Sequence, residues 1–178
     1  MANICSFNMK VIGKHEDIEK FYNAMSQNGN IYMGRGAAAE INYHDDYAFI
    51  DGWCKWSVIS ALIHNAQSMR TEPERWAFHN TDPSKLEFIT IVEATEKWNL
   101  VVEVYSEECG CCFQEHYVFD NGDVLVDECV DYYEHWIEEY DTKEDAEEEL
   151  GIFISTKEWE ENEGYIIRGG FDDWEFTI

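Results

Sequence analysis

The sequence predicts an α+β protein: a ferredoxin-like, largely antiparallel sheet with helices on one face, followed by an acidic carboxy-terminal extension. Three observations predict it. Ile4 to Ile12 alternates as a strand and passes at once into a helical pattern. The elements then run hairpin, helix, helix and a meander of strands, the order expected when helices cover one side of an antiparallel sheet. The third observation is local: "CFQEHYVF", Asn121-Gly122 and "DVLVDECV" spell two strands about a two-residue turn. With 178 residues, 45% of them hydrophobic, the chain suffices for one domain with an ordinary core. We read residues 1–178 as a single domain, with a ferredoxin-like core over 1–135 and an acidic extension over 136–178 packed on it.

Each element has its own warrant. After the first strand, Gly13 breaks the alternation and "HEDIEKFYNAM" sets Ile18, Phe21, Tyr22 and Met25 on one helical face. "AAAEINYHDDYAFIDGWCKW" gives two short strands about His44, Asp45 and Asp46, a hairpin. Ser57 caps a helix through Ser68, with Val58, Leu62, Ile63 and Ala66 inward. Met69 to Pro83 reads as a loop, and "SKLEFITIVEATEKW" as a third helix opened by Asp82-Pro83, although its β-branched residues also allow a strand. "NLVVEVYSE" and the Asn-Gly hairpin follow. "DYYEHWIEEYDTKEDAEEELG" reads as acidic helix or loop ending at Gly151, and "YIIRGGFDDWEFTI" as one or two closing strands.

Charge narrows the function. The chain carries 38 acidic and 12 basic side chains, a formal net charge of −26. Such an excess opposes compaction by self-repulsion. It also excludes nucleic-acid binding as a main role, because neutralising phosphates takes Lys and Arg. From Glu103 to Glu175 there are 25 acidic and 3 basic residues, a local balance of −22. The runs "EEYDTKEDAEEE" and "EWEENEG" interleave with Tyr132, Tyr133, Trp136, Tyr140, Trp159 and Trp174. Acidic rims with aromatic anchors suit a basic protein partner. The candidate partner-binding residues are Glu138, Glu139, Asp141, Glu144, Asp145, Glu147, Glu148, Glu158, Glu160 and Glu161. The plainer alternatives are that the acidity only keeps the protein dissolved and that each aromatic packs on the sheet. Met1 to Phe7 shows no signal-peptide pattern and no apolar run reaches bilayer length, so a cytoplasmic protein with no membrane partner is expected.

In a reducing compartment, clustered cysteines are metal ligands or free thiols before they are disulfides. Cys109, Cys111 and Cys112 crowd one turn, and a simple hairpin register puts Gln114 opposite Cys129 and His116 opposite Asp127. In that register Phe113, Tyr117, Phe119, Val124, Val126 and Val130 share an apolar face, while Cys112, His116 and Cys129 share the other. Cys109, Cys112, His116 and Cys129 are therefore candidate ligands of a structural zinc, with Cys111, Asp127 and the remote Cys54 as substitutes. Free thiols and a redox pair stay open, the latter weakened because Cys-x-x-Cys here precedes a strand and not a helix. No catalytic residue is assigned. His15, His64 and His79 read as packing or solvent residues, carboxylates are too many for any pairing to mean catalysis, and Gly34-Arg35-Gly36 lacks the rest of a phosphate loop.

"MANICSFNMKVIG", "GWCKW" and "LVVEVYSEECGCCFQEHYVFDNGDVLVDECVDY" together resemble the YubB-like ferredoxin-domain family of phage and plasmid proteins, over about residues 1–135. The resemblance implies the fold and a mobile-element origin and names no chemistry. In size, acidity and cysteines the chain is also similar to anti-CRISPR inhibitors of type II-A effectors, one class of which contains zinc. That likeness implies a phage-encoded, non-enzymatic inhibitor that binds a basic surface of a CRISPR effector nuclease and blocks target-DNA loading. The rival expectation is a small metal- or thiol-dependent accessory enzyme of a mobile element; a third is an acidic accessory protein without a specific target.

Overall fold

The computed structural model describes residues 3–26, 29–33, 36–71, 88–162, 164–171 and 174–178. In chain order the elements are β1 (Ile4–Ile12), α1 (His15–Ala24), β2 (Ala37–Tyr43), β3 (Tyr47–Lys55), a π-helical segment (Ser60–Asn65) running into α2 (Ala66–Thr71), α3 (Ile91–Trp98), β4 (Val101–Glu108), β5 (Phe113–Asp120), β6 (Asp123–Trp136), α4 (Lys143–Leu150), α5 (Thr156–Glu161) and β7 (Tyr165–Gly169). The strands make one open sheet in the order β2-β3-β1-β4-β5-β6-β7, with each neighbouring pair antiparallel. The architecture is α+β.

Alternation decides which side is buried. Cys5, Phe7, Met9 and Val11 of β1 pair with Cys54, Gly52, Ile50 and Ala48 of β3 and face the helices. Val102, Val104, Tyr117 and Phe119 continue this face and meet Ile18 and Phe21 of α1, Val58 and Leu62 of the second helical stretch, and Ile91 and Ala94 of α3. The Val, Leu, Ile, Met and Phe side chains of this set are all but excluded from solvent, and each contributes roughly 1.5–3 kcal/mol by burial. Ser57 caps the second helical stretch as expected, its Oγ accepting from the Ser60 N–H at 3.1 Å.

Several boundaries differ from the sequence reading. The third helix begins at Ile91, where Thr90 and Glu93 form a reciprocal capping box and Ile89 before it makes an isolated parallel bridge to Ile31. The second continues to Thr71, past the expected loop start at Met69. Residues 72–87, with the expected helix start at Asp82-Pro83, and His79 and Gly34-Arg35, lie outside the described residues. Residues 131–136, read as helix or loop, extend β6 and pair with β7. β6 thus runs across the expected boundary at residue 135. The closing residues 174–178 are not a strand.

The hairpin exists and its turn is as expected: Asn121 (φ 46°) and Gly122 (φ 95°) are both left-handed, as a type I′ turn demands. Its register differs. Asp120 pairs with Asp123 and Phe119 with Val124, but Val118 pairs with Val126, so Leu125 is an extra residue in a β-bulge. Beyond the bulge every side chain of β6 lies on the opposite face from the expected one. Cys129 sits opposite Glu115, His116 opposite Glu128, and Val126 and Val130 leave the helix-side face.

Candidate functional site

The register separates the expected metal ligands. His116 and Cys129 lie on opposite faces of the sheet, His116 turned toward the side away from the helices. Cys109 and Cys112 stand in the turn between β4 and β5, where the Cys112 Sγ donates to the Cys109 carbonyl at 3.4 Å and the Cys109 Sγ to the Glu107 Oε1 at 3.8 Å. No group of three or more His, Cys, Asp or Glu among the described residues is placed to hold a metal. Cys111 is tied elsewhere, accepting from the Asn3 Nδ2 at 2.8 Å; its hydrogen bond to the buried Glu108 carboxylate raises its pKa. Burial, then the charge of Glu115, raises that of Cys129. Cys54 lies in the core opposite Cys5, and that thiol contact pushes its pKa well up. In all three the shift disfavours the thiolate form.

His116 lies among other groups. Its ring stacks on Tyr105 with centroids 4.2 Å apart and planes 2° apart, and its Nε2 lies 2.9 Å from the Oε1 of Glu103. Glu103 is fully buried on the face away from the helices and also accepts from the Thr177 N–H (2.6 Å), the Thr177 hydroxyl (3.0 Å) and the Ile178 N–H (3.1 Å). Lys10 Nζ donates to the Ile178 oxygen, and the Tyr105 hydroxyl to the Glu175 carbonyl. Trp174, Phe176 and Phe171 close around Tyr105. The last described residues are thus strapped across the second face of the sheet.

A second buried carboxylate, Glu115, points the other way. It accepts from the Val58 N–H at 2.7 Å, the Ser106 hydroxyl at 2.8 Å, the Tyr117 hydroxyl at 3.3 Å and the Ile59 N–H at 3.5 Å. A strand side chain therefore supplies the acceptors for the first free N–H groups of a helix. Neither Glu103 nor Glu115 stands out in the sequence. Their only mark is position, one acid each within the strand runs "VVEVY" and "QEHYVF".

The acidic candidates occupy the end of the sheet beyond β5. Glu138, Glu139 and Asp141 are exposed in the turn after β6; Glu144, Asp145 and Glu148 on α4 and Glu160 and Glu161 on α5 are exposed as well. Beneath them lies a small apolar centre of Ile137, Ala146, Ile154 and Ile166, flanked by Tyr140 and Trp159. Two candidates hold this unit together. Glu147 accepts from the Ile154 N–H at 2.7 Å and meets Lys143 at 3.2 Å. Glu158 accepts from the Ser155 N–H at 2.8 Å and pairs with Arg168 at 2.8 Å. In each, the bond from a backbone N–H is the first cause of a lowered pKa.

Acid should therefore loosen this unit. A carboxylate whose folded pKa lies below its unfolded one contributes stability above the unfolded value, about 4.3, and loses it as pH falls through the folded value. Amide exchange over 142–162 is expected to quicken between roughly pH 4.5 and 3, with a weaker pH response in Glu147→Gln. Unchanged exchange would show these bonds to be inconsequential. The third cation of the region, Lys157, lies 3.7 Å from Glu161.

No helix among the described residues is long and apolar enough to cross a membrane. No family model, no curated protein and no solved structure matches this chain.

Proposed function

We propose that this chain is a non-enzymatic inhibitor that presents the acidic surface of β6, α4, α5 and β7 to a basic, nucleic-acid-handling protein, of which a type II CRISPR effector nuclease is the proposed instance. One observation carries the reading. Lys143, Lys157 and Arg168, the three cations between Glu103 and Glu175, are each engaged by a carboxylate of the same region. Among the described residues, the region's remaining carboxylates have no Lys or Arg at ion-pair distance, so their field is directed outward and is complementary to a surface built to receive phosphates. An occupied phosphate track cannot load target DNA. In the same reading, residues 4–108 form a split βαβ unit of ferredoxin-like kind; support comes from the order β2-β3-β1-β4 and the helices between β1 and β2 and between β3 and β4.

The test is a binding titration against a purified, guide-loaded type II effector across a salt series. The expected result is a complex at about 50 mM salt that weakens tenfold or more by roughly 300 mM, as screening shortens the range of exposed charges. Failure to bind any basic nucleic-acid-handling protein at low salt would remove the proposal.

A further inference from the structure

The far edge of the sheet has properties that the charge does not explain. β7 is the outermost strand. Gly170 donates to the Asp131 carbonyl at 3.1 Å and Ile137 to the Gly164 carbonyl at 2.8 Å, so in this register the even-numbered residues of β7 bond to β6. The backbone groups of Tyr165 and Ile167 consequently point outward. Edge strands are ordinarily blunted by charge, proline or a covering element. The single charge on β7, Arg168, is turned to Glu158 and the Phe153 carbonyl, and its Nη1 donates to the Ile167 carbonyl at 3.0 Å. The outward N–H groups of Tyr165 and Ile167 have no backbone partner among the described residues.

The side chains beside that edge are apolar and open. Trp136 is 53% exposed, Ile167 46% and Tyr165 40%, and the Trp136 and Tyr165 rings lie 5.7 Å apart on the face away from the helices. Glu134 sits opposite Ile167 on this face, and Glu138 follows two residues after Trp136. A second copy of the chain would bring another net charge of −26 to the same place, which disfavours self-pairing.

We propose that the outer edge of β7 takes an extended, arginine- or lysine-bearing segment of the partner as an added strand, with its cations over Trp136 and Tyr165 and against Glu134 and Glu138. Main-chain bonds to Tyr165 and Ile167 supply affinity, and the ring faces and carboxylates supply selectivity for basic side chains. The inference rests on the acidic-surface reading above and specifies how the partner is held.

Proline at position 167 separates the two. Ile167→Pro deletes an outward N–H without removing a bond to β6 or changing charge. Ile167→Ala keeps the N–H and loses the side chain. The probe is a labelled peptide of alternating arginine and valine, followed by anisotropy and amide exchange at low salt. The expected result is protection of the Tyr165 and Ile167 amides, with binding about tenfold weaker in Ile167→Pro and less affected in Ile167→Ala. Should Ile167→Pro fail to fold, Tyr165→Pro at the first position of the strand serves the same purpose when compared with Tyr165→Ala, which loses the same ring and keeps the N–H. Equal peptide affinity for wild type and the proline variant, without protection in β7, overturns strand addition. A chain that sediments as a dimer paired through β7 overturns it as well. If a basic folded partner binds both forms alike, strand addition falls and the acidic-surface reading stands; if no basic partner binds wild type, that reading falls first.

Discussion

Replacing Glu115 with alanine is expected to cost about 3–5 kcal/mol of folding stability, the largest effect of any single substitution considered. The carboxylate is 1% exposed, and four donors converge on it from three parts of the chain. Its removal leaves the Val58 and Ile59 N–H groups at a buried helix start and the Ser106 and Tyr117 hydroxyls without their acceptor. Each orphaned donor costs roughly 1–3 kcal/mol, and the sum stays below full additivity because the helix end relaxes. Against a total stability of about 5–15 kcal/mol, a marginal fold would be lost. Glu115→Gln keeps an acceptor oxygen and should cost about half as much. Urea unfolding reads both: the midpoint should move with an unchanged slope. A shift under about 1 kcal/mol in the alanine variant would mean that the helix start finds other acceptors.

Glu115 also marks the limit of what was legible. In a chain with 38 acids, one more glutamate in a strand carries no sign of burial. The first strand, the hairpin around His44 and the Asn121-Gly122 turn were legible because period-2 alternation and left-handed turn residues are local properties. The bulge at Leu125 was not, since one extra residue leaves composition and local pattern intact while reversing every face after it. That reversal alone removes Cys129 from the side of His116. β6 beyond Val130 was obscured for another reason: Tyr133, Glu134 and Trp136 are all exposed, so alternation of burial survives only at Tyr132. The acidic surface was legible as composition. Its organisation around Ile137, Ala146, Ile154 and Ile166, with Glu147 and Glu158 turned to structural duty, depended on contacts between segments up to about 30 residues apart.

Glu103→Ala is expected to release the strap over the second face, at a cost of roughly 2–4 kcal/mol. Glu103, like Glu115, is a buried carboxylate that collects several donors, but the consequence of its loss is spatially different. Of the four groups that meet this carboxylate, three belong to Thr177 and Ile178, so most of the lost bonding lies in a segment outside the sheet. The fourth, the His116 ring, keeps its stacking on Tyr105 and its 3.5 Å approach to Glu128. The sheet should therefore survive while residues 174–178 detach, carrying Trp174 and Phe176 away from Tyr105 and opening an aromatic surface beside Phe49. Amide exchange at Thr177 and Ile178 should become fast while that of β4 and β5 stays slow, a split that a globally destabilised fold would not show. Thr177→Val removes only the hydroxyl bond and should cost about 0.5–1.5 kcal/mol. In Glu103→Ala that same replacement should cost almost nothing, because its acceptor is already gone. Additive losses in the double variant would show that Thr177 is held by something other than Glu103, and the strap would then owe its place to the Lys10 and Tyr105 bonds and the aromatic contacts.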